Sequence, residues 1–97
     1  MATEVHRKPH VVETTKNIKT FKLNGCNAAL IQNQGNTIVF VDGYKLFPNN
    51  GFVIEDNVKS PTYNWLIQLV FDSSNLVNTT KTPENKVYIL EKFYCEI

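Results

Sequence analysis

His6 and His10 stand four residues apart, the spacing that places two imidazoles on one face of a helix as metal ligands. Pro9 between them works against a regular helix, and Glu4 and Glu13 are the only neighbouring groups that could extend a ligand set. A barrel-type metal site would need histidines projecting from the strands, and none follows residue 10. Cys26 and Cys95 lack the close paired spacing of a zinc site, are too few for a disulfide scaffold, and have no histidine after residue 10 to activate a thiolate. They read as free thiols. Asp42, Glu55, Asp56 and Asp72 fall at the ends of apolar runs, where carboxylates are ordinarily solvated, and nothing in their spacing selects an acid and base pair. The residues therefore point to a protein that is not an enzyme and carries no metal and no cofactor.

Side chains that act by contact are more informative. Tyr44, Phe47, Phe52, Tyr63 and Trp65 could stack on a base or a sugar, but a single small core needs most of its aromatics for packing. Tyr44 and Phe47 flank turns and are the exceptions expected at the surface, with Lys45 between them. The formal charge of +1 hides an asymmetry: residues 1–22 carry Arg7, Lys8, Lys16, Lys19 and Lys22 against Glu4 and Glu13, leaving the body mildly acidic. That charge can steer a segment toward an acidic surface but is weak for a phosphate backbone, which argues against nucleic acid as the partner. The Lys and Asn bias is of the kind an AT-rich genome produces, and the sequence attaches no mechanism to it.

These groups must be positioned by one domain, since 97 residues support a single modest core. The first residues have no apolar run of signal-peptide length, and no stretch approaches the roughly 20 apolar residues of a membrane span, so a cytoplasmic site of synthesis and no membrane partner are expected. Asn78-Thr79-Thr80 then reads as a polar loop rather than a glycosylation acceptor. Residues 1–17 hold no large hydrophobe after Met1 and read as an extended N-terminal arm, too polar to order on its own. Residues 18–97 form the domain. Strands are expected over 18–24, 27–33, 36–41, 44–47, 52–56 and 86–96, with turns at Asn24-Gly25, Asp42-Gly43 and Pro48 to Gly51, and a hairpin at Gln34-Gly35. The run 65–71 suits a buried strand or two helical turns, and its aromatic and β-branched content favours a strand packed on both faces. Around Leu76-Val77 the chain is loop-like. The expected core is Phe21, Leu30, Ile31, Ile38, Phe40, Phe52, Ile54, Trp65, Ile67, Leu69, Val87, Ile89 and Phe93. The fold class is all-β, a single antiparallel β-sandwich or partly closed barrel with little helix.

The order Ala29 to Gly35, then Ile38 to Gly43, then Leu46 to Phe52 resembles small β-sandwich virion proteins of tailed bacteriophages, whose hairpin, glycine and proline-glycine punctuation organises a jelly-roll-like sandwich. Here Asn49-Asn50 separates Pro48 from Gly51, a departure from that pattern. The resemblance implies a non-enzymatic capsid auxiliary or decoration protein, located in the virion after assembly in the host cytoplasm. Its partners would be the major capsid protein, other virion proteins or copies of itself. An arm over residues 2–17 would clasp a neighbouring chain by adding a strand to its sheet, with no loss to the isolated domain when removed. The expected partner-binding residues are Val5, Arg7, Lys8, Val11 and Val12 on the arm, and Tyr44, Lys45 and Phe47 on the domain. Two rival readings remain open: a small single-stranded nucleic-acid-binding barrel using Tyr44, Lys45 and Phe47 with the arm's cations, and a carbohydrate-binding module.

Overall fold

The computed structural model describes residues 3–54, 63–72 and 83–96. Eight strands run in chain order: β1 (Thr3–Thr14), β2 (Ile18–Lys22), β3 (Ala28–Asn33), β4 (Ile38–Val41), β5 (Tyr44–Leu46), β6 (Gly51–Ile54), β7 (Leu66–Asp72) and β8 (Asn85–Glu96). They form two four-stranded antiparallel sheets, ordered β1-β8-β3-β6 and β2-β7-β4-β5. With the strands taken in chain order, this interleaving is the eight-stranded jelly roll. Ring contacts fix how the sheets overlie. His10 of β1 meets Phe21 of β2 edge-on at 4.9 Å, and Tyr44 of β5 meets Phe52 of β6 at 4.9 Å. Those two pairs close the two lateral edges of the sandwich.

Alternation decides the core. β7 buries Ile67, Leu69 and Phe71 and exposes Leu66 and Gln68, so it is packed on one face rather than both. Opposite it, Val87 and Ile89 of β8 and Ala29 and Ile31 of β3 point inward, joined by Val12, Val39, Val41, Leu46 and Ile54. Phe21, Phe52 and Phe93 pack against this cluster while only partly buried. Three expected core residues lie elsewhere. Trp65 is exposed just before β7, and Leu30 and Phe40 sit half-buried on outward positions of β3 and β4. In their place the core takes Leu23 and Cys26, from the link that carries the chain from one sheet to the other.

One connection differs from the sequence reading, and one bears it out. Gln34-Gly35 makes no hairpin, because β3 and β4 belong to different sheets. The link turns a corner against the start of β8, where Gln34 N donates to the Lys86 carbonyl at 3.0 Å and Asn36 N to the Glu84 carbonyl at 3.1 Å. A Cβ at position 35 would run into the Glu84 carbonyl oxygen, so glycine is what lets the backbones approach. The true two-residue hairpin joins β4 to β5. There Asp42 (φ 47°) and Gly43 (φ 87°) both adopt the positive φ of a type I′ turn, and Val41 faces Tyr44.

The N-terminal segment is extended, but it is a strand of the chain's own sheet. β1 pairs with β8 over twelve residues, from Thr3 opposite Glu96 to Thr14 opposite Asn85. Val12 enters the core, which contradicts its expected place in a partner contact. The reason is length: β8 has twelve residues and β3 covers only Val87 to Lys92, so the other edge of β8 would lie unpaired without β1. Beyond Lys92 the two strands continue as a ribbon, and the molecule measures 54 × 19 × 18 Å.

Candidate functional site

Glu91 was absent from every expected set, yet it organises the polar interior. It stands between Ile89 and Phe93 on the inward face of β8 and is 2% exposed. Its Oε1 lies 2.6 Å from His10 Nε2, and its Oε2 accepts the Asn24 backbone N–H at 3.0 Å. The Cys26 thiol is buried within reach of this carboxylate's charge. Burial first, and then the negative charge of Glu91, push that thiol up to about 11. The imidazole is spent on the carboxylate and the carboxylate holds the sulfur protonated, which is the reverse of what activates a thiolate. This cluster ties β1, β8 and the link before β3 together. Its chemistry is cohesive.

A second polar group lines the corner at residues 33–37. Asn33 Nδ2 donates to the carbonyls of Thr37 (2.7 Å) and Leu46 (3.1 Å), and Asn33 Oδ1 accepts from Gly35 N (3.1 Å). Thr37 Oγ1 donates to Asn85 Oδ1 at 2.8 Å, and Asn85 Nδ2 reaches the Lys16 carbonyl at 3.2 Å. Asn27 Oδ1 accepts from Tyr94 N at 3.0 Å. The asparagines that the sequence left without a mechanism thus satisfy backbone groups where the chain changes sheets. Among the described residues no buried side-chain nitrogen or oxygen lacks a partner, and no group of three or more His, Cys, Asp or Glu is placed to hold a metal ion. His6 and His10 fall on one face of β1, where His10 turns to Glu91.

The expected contact residues do not form one surface. Tyr44, Lys45 and Phe47 lie at β5, where Lys45 Nζ sits 5.1 Å from the Phe47 ring centre and both rings are about half exposed. A hollow of about 390 Å³ opens beside them between Gly35, Asn36, Phe47, Pro48 and Asn49. Val5, Arg7 and Val11 lie at the other lateral edge, on the outward side of β1, whereas Lys8 projects from the opposite side. Glu55, Asp56, the Leu76-Val77 segment and Asn78-Thr79-Thr80 lie outside the described residues, as does the side chain of Cys95.

What does converge is the outward face of the sheet β1-β8-β3-β6. The register aligns Pro9, Leu90, Leu30 and Val53 in one row across all four strands. Val11, Tyr88 and Gln32 form the row on one side, and Arg7, Lys92 and Ala28 the row on the other. Val53 is 63% exposed and Val11 56%. A hollow of about 380 Å³ opens between Ala28, Leu30, Val53, Lys92 and Tyr94. A period of two along 86–96 puts Tyr88, Leu90 and Tyr94 on one face, but their neighbours across the sheet follow only from the strand order.

Compared with family models, curated proteins and solved structures, the chain matches none. Its functional reading therefore rests on its own residues. No helix among the described residues is long and apolar enough to cross a membrane.

Proposed function

We propose that this chain is a non-enzymatic structural protein that works by docking the outward face of its β1-β8-β3-β6 sheet on other protein subunits, in the manner of a capsid auxiliary protein of a tailed phage. The observation that carries the reading is the apolar row Pro9, Leu90, Leu30 and Val53 set across four strands on a solvent-facing sheet surface. Apolar groups in such a contiguous patch mark interaction sites more often than isolated surface hydrophobes do. The jelly-roll topology is compatible with it by analogy only, since capsid, lectin and cupin domains share that architecture. The polar interior supports the same direction, because Glu91 is taken up by His10 and the Asn24 N–H, and its charge opposes ionisation of Cys26.

The docking element in this proposal is a sheet face, not a clasping arm. β1 already lies against β8, and its open edge carries Arg7, Lys8 and Pro9, groups that discourage a further strand. Mass spectrometry of purified particles from the source should find the chain in stoichiometric amount. Its absence from every particle would reject the virion role. In particles assembled with a Leu90→Asp variant, recovery of the chain should fall while the soluble variant stays folded. Equal recovery would reject the face.

A further inference from the structure

Resting on that docking reading, we propose that the partner presents an acidic protein surface, and that the hollow between Leu30, Val53, Lys92 and Tyr94 receives one apolar side chain from it. The positive charge on this face is gathered beside the hollow, with the carboxylates at its two ends. Arg7 and Lys92 stand side by side next to the hollow, Lys86 lies at one end of the face opposite Glu13, and Glu96 falls on the same face at the far end of β8, opposite Thr3. Among the described residues none of the three cations is ion-paired. Stacking two copies hollow to hollow would set Arg7 and Lys92 against the same two cations, so the complement to the hollow and its border is an apolar patch rimmed by carboxylates. Lys92 borders the hollow and Arg7 stands opposite it, which places positive charge beside the point where an inserted side chain would seat.

Other chemistries fit less well. Tyr88 and Tyr94 are six residues apart on β8, roughly 20 Å at strand rise, and Leu90 and Leu30 occupy the space between their rows. A single strand of nucleic acid stacks successive bases on closely set rings, which this face does not offer. The hollow, at about 380 Å³, is near the lower end of the roughly 300–1,000 Å³ of small-molecule sites and is walled by apolar groups with a single cation, which suits a side chain better than a cofactor. The face from Glu13 to Val5 spans about 25 Å along the strands and 20 Å across them, on the order of 500 Å² per partner against roughly 800 Å² in a standard interface. A single contact is therefore weak, and the arrangement suits a repeated lattice, where many such contacts act together.

The test uses the full-length protein, uniformly ¹⁵N-labelled, titrated at low salt with a random copolymer of glutamate and tyrosine. Polyglutamate, an oligothymidylate and phosphatidylglycerol vesicles are titrated in parallel. The copolymer should shift the amides of residues 28–32, 51–54 and 86–94 and should bind more tightly than the other three. Val53→Asp and Lys92→Glu should each weaken it by roughly ten-fold while leaving the spectrum of the free protein folded. Shifts confined to residues 44–49, or affinity unchanged by both variants, would overturn the proposal. Equal binding of polyglutamate would remove the apolar anchor from it. Tighter binding of the oligonucleotide or the vesicles would reassign the face to nucleic acid or lipid. These outcomes are independent of whether the chain is found in particles, so failure of the anchor and failure of the virion role are told apart.

Discussion

At the scale of single residues, the interior of this protein depends on one carboxylate. Replacing Glu91 with alanine would strand the His10 imidazole and the Asn24 N–H without an acceptor in a nearly closed site. The expected loss is about 2–4 kcal/mol in denaturant titration, a large part of a small domain's stability. Pairing Glu91→Leu with His10→Phe should recover much of it, because both partners of a buried polar contact can be exchanged for packed apolar groups, while one partner left alone cannot be satisfied. Cys26 leaves a separate signature in alkali. Between its ordinary 9.0 and about 11 the unfolded chain releases the thiol proton and the folded chain keeps it. The folded state then holds more protons, so stability is level below about pH 9 and falls as pH rises toward 11. Comparing wild type with Cys26→Ala across that window isolates the effect from lysine and tyrosine titration. A difference between the two proteins that does not change with pH would contradict the assignment.

At the scale of elements, the corners carry more specificity than the strands. Gly35 lets residues 34–36 pass against the beginning of β8, and Gly35→Ala should cost about 2 kcal/mol or more, since the obstruction is backbone and not a movable side chain. Gly43 is different. Its surroundings are open and only its φ of 87° resists a side chain, so Gly43→Ala should cost about 1 kcal/mol. Thermal denaturation of the two variants under one condition gives the order. A larger loss at Gly43 than at Gly35 would show that close approach is not what position 35 requires. The same elements explain what was legible beforehand. Strand positions and the inward and outward alternation of 86–96 follow from a period of two in the apolar residues. The sheet switch at 34–36 was not legible, because a glycine flanked by polar residues has the same local appearance in a hairpin and in a corner.

At the scale of the whole molecule, the jelly roll makes its N-terminus and C-terminus neighbours through β1 and β8. Deleting residues 2–14 would remove Val12 from the core, unpair Glu91 and open an edge of β8 twelve residues long. The truncated chain should therefore be largely unfolded or aggregated at 25 °C by circular dichroism and light scattering, where an arm held apart from the domain would leave both unchanged. Pairing strands from opposite ends of the chain also entails closing long loops, so folding should be slow for the size of the domain.

Composition, turn dipeptides and apolar periodicity determined by themselves that this chain is all-β, where most of its strands after residue 17 fall, and which side chains of β6 and β8 share a face. Those are local properties, set by the alternation of the extended backbone and by the few residue types that tolerate positive φ. Only the tertiary structure decided which strands are neighbours. Strand order depends on pairings between residues far apart in sequence, which leave no local mark. That order turned the N-terminal segment from an arm into β1, brought His10 to Glu91 and Cys26, and set Tyr44, Lys45 and Phe47 across the sandwich from Arg7 and Val11. It also aligned Pro9, Leu90, Leu30 and Val53 into a single row, because each of these residues is contributed by a different strand and the four strands meet only in the folded sheet.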